Sequence, residues 1–166
     1  MIKSTSSLLN FSKTVLLLAE SLQSYQYAFR GTASLFLQGI EMNVDDIDIL
    51  SDKETALSCN ELLKEYLLEE VSYKESKQFK SYFGKFNIEG MPVEIMGEWQ
   101  IKDVKGNWTK PYSAENRIKM EFEGKEIYVI SIEEELLFFA KMGRWTAYQK
   151  IKRQLEEKKG KQKSLF

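Results

Sequence analysis

A chain of 166 residues is long enough to bury one sizeable core and too short for several domains. Its 43% apolar and 30% charged residues match a folded globular protein, which excludes a disordered or fibrous chain. A net charge of −1 argues against general nucleic-acid affinity, and the absence of histidine removes Ser-His hydrolysis and histidine-bearing zinc sites.

The N-terminal stretch "MIKSTSSLLNFSKTVLLLAESLQ" is broken by polar residues and does not read as a signal peptide. Apolar residues from Leu8 to Leu22 recur at helical spacing and predict a helix over 6–23. "YQYAFR" has strand character from Tyr25 to Phe29, Gly31 permits a tight turn, and "TASLFLQG" reads as a short helix ending near Gly39. "DDIDIL" reads as a short strand. Ser51 and Glu54 suggest a capping box for a helix over 53–69.

"FKSYFGKFNIEGMPVEIM" predicts two strands joined at Glu89-Gly90, and "IKMEFEGKEIYVI" another pair joined at Glu123-Gly124. Ser131 and Glu134 make a second possible capping box. It opens a helix that is disturbed at Gly143 and resumes to about Lys158. The order predicts an α+β fold, a mixed β-sheet flanked by helices, as one domain over 1–158 with a basic flexible tail at 159–166. No apolar run approaches a membrane span. The lone cysteine, Cys59, fits a reducing, cytoplasmic location.

Charge is unevenly spread. Residues 41–70 hold ten acidic and two basic side chains, and residues 141–163 hold nine basic and two acidic. Each run reads either as a solvated face or as half of a site, one for a cation and one for an anion.

Side chains at i and i+2 of a strand share a face, so Asp46 and Asp48 are predicted neighbours, with Ile47 and Ile49 opposite and Asp45 turned away. Two adjacent carboxylates repel unless a cation lies between them, and oxygen ligands favour magnesium or manganese. The alternative is a strand whose second face is simply wet. Ahead of this strand, Gly31-Thr32 between a strand and a helix predicts backbone amides free to meet phosphate, with hydroxyls from Thr32 and Ser34; Thr32 reads equally as a helix N-cap.

Gly31-Thr32, thirteen residues, then Asp46-Ile47-Asp48-Ile49 resembles the signature of the nucleotidyltransferase superfamily. The likeness is to small single-domain members such as the bacterial lincosamide nucleotidyltransferases and abortive-infection nucleotidyltransferase toxins. It implies a nucleotidyltransferase-like fold and transfer of a nucleoside monophosphate from a triphosphate to an acceptor hydroxyl. It also implies that Asp46 and Asp48 bind Mg2+ or Mn2+ and that the Gly31 turn holds phosphates. The third carboxylate implied is Glu94 of "MPVEIM", which reads alternatively as the wet half of a strand.

The resemblance further implies phosphate contacts from Lys141, with Arg144 one turn on. The acceptor is open between a small molecule, a protein and an RNA end, and a homodimer or partner protein could complete the cleft. The chain departs from the pattern at Arg30-Gly31-Thr32, where many relatives have two glycines or Gly-Ser, and at Met42 and Val44, where many have basic or Thr residues. These departures leave a second reading, a non-catalytic nucleotide binder or half of a two-component module. Trp99, Trp108 and Trp145 read as core or rim aromatics, Trp108 alternatively as a cleft residue.

Overall fold

The computed structural model describes the backbone of residues 5–164 and the side chains of 7–161. Seven strands form one mixed sheet: β1 (Tyr27–Arg30), β2 (Ile47–Ser51), β3 (Leu67–Glu75), β4 (Phe79–Ile88), β5 (Met91–Ile101), β6 (Ile118–Phe122) and β7 (Lys125–Val129). Their order is β3-β4-β5-β2-β1-β7-β6. The helices are α1 (Thr5–Ser21), α2 (Gly31–Leu37), α3 (Lys53–Leu62), α4 (Ile132–Met142) and α5 (Trp145–Ser164). This is the α+β architecture expected from the order of elements.

Strand alternation divides the core. Phe29, Ile47, Ile49, Val93 and Ile95 face one side, where Phe11, Val15, Leu18 and Leu22 of α1 and Ala56 and Cys59 of α3 cover them. Ala28, Leu50 and Met96 face the other side, under Phe138, Phe139 and Met142 of α4 and Ile151 of α5. Asp48 therefore points toward the α4 side.

Both hairpins turn where expected. Glu89 and Gly90 have φ of 52° and 91°, and Glu123 and Gly124 have 48° and 78°. Two successive positive φ angles are the requirement of a tight hairpin turn whose twist suits antiparallel strands.

Three boundaries differ from the sequence-based expectation. The helix expected over 53–69 ends at Leu62, and after a single 3-10 turn (Lys64–Tyr66) the chain enters β3. β3 is an edge strand in which only Val71 is buried, so it lacks the alternation that marks a half-buried strand. The N-cap of α3 is Asp52, whose carboxylate accepts from Thr55 N at 2.8 Å, rather than Ser51. Finally α5 continues to Ser164, so residues 159–164 of the expected tail are helical; 165–166 lie outside the described residues. Among the described residues no helix is long and apolar enough to cross a membrane.

Candidate active site

The site follows from strand register. Arg30 on β1 is the antiparallel partner of Asp48 on β2, and Asp48 is the parallel partner of Glu94 on β5. Laterally paired residues share a face, so the three form one row across the sheet. Asp46 lies one residue before β2 begins, which differs from the expected position inside the strand. It still converges with Asp48 and Glu94: one oxygen of each lies within 4.8 Å of the others, the one such cluster among the described residues.

This cluster opens into a cavity of about 360 Å3 lined by Arg30, Gly31, Thr32, Ser81, Arg144 and an apolar wall that includes Phe83, Met96, Trp99 and Phe139. Asp48 is half-buried and its Oδ1 has no hydrogen-bond partner among the described residues. Three carboxylates with a free oxygen suit a hard divalent cation. Asp45 lies apart, at a second cavity beside Asn10, Val44 and Pro92.

Burial pushes the Asp48 carboxyl up to about 7; the Arg30 guanidinium opposes the rise, and Asp46 and Glu94 add to it. Between about pH 4 and pH 7 the folded protein therefore holds a proton there that the unfolded chain, at its ordinary 3.8, has released, and above that range Asp48 is a carboxylate. The sign follows: this group favours the fold at low pH and loses that contribution as pH rises from about 4 to about 7. Thermal melts without metal should find Asp48→Asn gaining on the wild type between pH 5 and pH 8, by on the order of 2 kcal/mol.

Two charged residues of the site escaped the sequence reading as site residues. Glu135 on α4 is fully buried and accepts from Gly31 N at 2.8 Å. Arg30, also buried, has one guanidinium nitrogen 3.7 Å from Asp48 and another 3.7 Å from Glu135. It stacks over Trp99 at 4.3 Å. Burial raises the Glu135 carboxyl, and Arg30 and the Gly31 amide oppose the rise. One signal was available. Glu135 shares the helical stripe of Phe138, Phe139 and Met142, where a carboxylate requires a partner.

Four local expectations are corrected. Gly31 does sit at the strand-to-helix turn, with φ of +66°, but its amide is engaged by Glu135 rather than free. Ser34 does not reach the cavity: it is fully buried, and its hydroxyl donates to Ile130 O at 2.7 Å. Thr32 is not the helix N-cap; that position is Arg30, with no side-chain cap. Lys141 and Arg144 are not one helical turn apart on one face, because Gly143 caps α4 at φ +74° and the chain turns before α5. Arg144 lines the cavity and Lys141 does not. Lys141 instead acts on Asp103, whose carboxyl is held below its usual range first by the Asn107 amide and further by Lys105 and Lys141. Trp108 also lies away from the cavity, with Lys80 over its ring at 4.3 Å.

The sequence profile of the aminoglycoside-2''-adenylyltransferase family matches residues 14–158. The chain belongs to this family. Membership makes it an enzyme of the nucleotidyltransferase superfamily, as the Gly31-Thr32 and Asp46-Ile47-Asp48 pattern implied. A Thermotoga maritima protein described as a candidate nucleotidyltransferase is similar, at 26% identity and a TM-score of 0.76, over 93% of this chain and 96% of that one. The lincomycin-bound lincosamide antibiotic adenylyltransferase LnuA shares the fold, at 18% identity and a TM-score of 0.53, over 90% and 96% of the two chains. No curated protein matches. In this adenylyltransferase-family member Val44 is buried in the cluster under α1, and Met42 packs against the other cluster, under α4, so neither brings a charge or a hydroxyl to the acidic pair.

Proposed function

We propose that the protein transfers a nucleoside monophosphate from a nucleoside triphosphate to an acceptor hydroxyl, using a divalent metal. The observation that carries this is the convergence of Asp46, Asp48 and Glu94 beside the Gly31 turn in one cavity. Asp46 and Asp48 would hold the metal, which would supply positive charge to offset that developing on the phosphates. Glu94 joins them as a ligand or takes the proton of the attacking hydroxyl. That oxygen bonds to the α-phosphorus, the bond to the bridging oxygen breaks, and pyrophosphate leaves. Thr32, Arg30 and Arg144 line the wall that meets the departing phosphates.

The family name and LnuA favour ATP as donor and a small hydroxylated antibiotic as acceptor. The apolar wall of Phe83, Trp99 and Phe139 suits the flat or apolar part of such a ligand. The reading takes residues 1–158 as one domain acting in the cytoplasm, with a second copy or a partner free to complete the open side. Magnesium or manganese would serve.

Incubation with each labelled triphosphate, Mg2+ and either an aminoglycoside, a lincosamide or a cell extract tests it: a labelled product with equimolar pyrophosphate is expected, and no product with any donor would count against transfer. Arg144→Ala should weaken triphosphate binding about tenfold, the loss of one charge-assisted contact, while Lys141→Ala should stay within about twofold. Equal effects in a titration of the two variants would remove Arg144 from the phosphate wall.

A further inference from the structure

Arg30 is held by charge but poorly hydrogen-bonded. Its distances of 3.7 Å to Asp48 and Glu135 are ion-pair distances, longer than hydrogen bonds. Its remaining polar contact is a hydrogen bond from Nη1 to Met96 Sδ at 3.7 Å, an ordinary length for sulfur but to a weak acceptor. Arg30 Nε, Asp48 Oδ1 and Glu135 Oε2 are all buried without hydrogen-bond partners among the described residues. Buried polar atoms are normally satisfied, so three unsatisfied ones around one guanidinium mark a place where partners change. The plane of the guanidinium is braced by Trp99 at 4.3 Å and Phe138 at 5.9 Å, which leaves its N–H edge to exchange. Arg30 also lines the cavity shared with Thr32 and Arg144.

We propose that Arg30 is the resident counter-ion of the metal-free site and trades Asp48 for the triphosphate when the carboxylates take up their metal. The inference rests on the nucleotidyl-transfer reading. Arg30 and a divalent cation compete for Asp48, since each is repelled by the other and both are drawn to the same carboxylate. Released from Asp48, Arg30 keeps Glu135 and Trp99 on one side and offers its fork to a polyphosphate on the other. Glu135 is a positioning residue in this scheme: it holds Arg30 and the Gly31 amide together, and it touches no substrate.

The test is a Mn2+ titration without nucleotide, followed by binding of a non-hydrolysable ATP analogue with Mg2+. The double variant Arg30→Met, Glu135→Gln removes both charges, so neither is stranded, and the glutamine oxygen can still accept from Gly31. Measured above pH 8, so that a proton does not take Arg30's place on Asp48, it should bind Mn2+ about tenfold more tightly than wild type, and the analogue at least about tenfold more weakly. Unchanged or weaker Mn2+ binding, or unchanged analogue binding, in a cooperatively folded double variant would overturn the proposal.

If that variant does not fold, Arg30→Lys decides. It keeps the charge and loses the fork, so Mn2+ affinity should stay within about twofold and analogue affinity should drop about fivefold. Analogue affinity equal to wild type would overturn the proposal. A wild-type protein that binds neither probe sinks the transfer reading itself, a result distinct from wild-type binding that Arg30 variants leave unmoved.

Discussion

Asp46→Asn and Asp48→Asn should each lower nucleotidyl transfer by about a thousandfold or more while leaving the metal-free fold intact. Each removes a carboxylate from a set whose oxygens lie within 4.8 Å of one another. An amide cannot replace a charged ligand to a hard cation, and several kcal/mol of charge stabilisation in the transition state go with it. The same substitutions relieve repulsion when no metal is bound. Asp48 gains most, because its charged form is disfavoured by burial first and by Asp46 and Glu94 next. Asp45→Asn should change transfer by less than about twofold, since Asp45 is exposed beside a different cavity. Steady-state rates for the three variants, with melts to establish folding, check this. A loss in Asp45→Asn equal to the others would mean that the acidic run acts through its charge alone.

Gly31→Val should impair both the fold and the site, for two separate reasons. At φ +66° a β-branched residue is strained, at a cost of about 1–3 kcal/mol. A Cβ at this position would also lie 3.0 Å from Asp48 Oδ2, so even a folded variant pushes on a proposed metal ligand. Melting should fall by several degrees, and metal-dependent triphosphate affinity in the folded protein should drop at least about tenfold. Gly31→Ala carries the same Cβ with less crowding, and should rank between the two in both measurements. Full triphosphate affinity in a destabilised Gly31→Val would make the turn purely structural.

Much of the site was legible because its chemistry is written in short local patterns. Asp-Ile-Asp alternation sends two carboxylates to one side and two isoleucines into a core, and that is how β2 packs from Ile47 onward. Glu-Gly pairs announce hairpins because both residues must take positive φ, and both pairs do. Contacts that depend on tertiary placement were not legible. Nothing local says that Glu135, 104 residues from Gly31, takes its amide. Nothing local says that Arg30 lies over Trp99 rather than in solvent. Ser34 was misplaced for a related reason: the first turn of α2 rotates it inward, where Ile130 O accepts its proton. β3 was missed because an exposed edge strand has no need of the alternation by which buried strands are recognised.

Whether this cavity takes a metal-bound triphosphate can be read from thermal melting. The wild type would be melted alone, with Mg2+, with each triphosphate, and with both together. A ligand that binds only the folded state raises stability by about 2.7 kcal/mol at a hundredfold excess over its dissociation constant. A clear upward shift is expected with at least one triphosphate plus Mg2+, and it should be lost in Asp46→Asn and Asp48→Asn. No shift with any triphosphate would contradict binding in this cavity and leave the acidic row as a wet strand face.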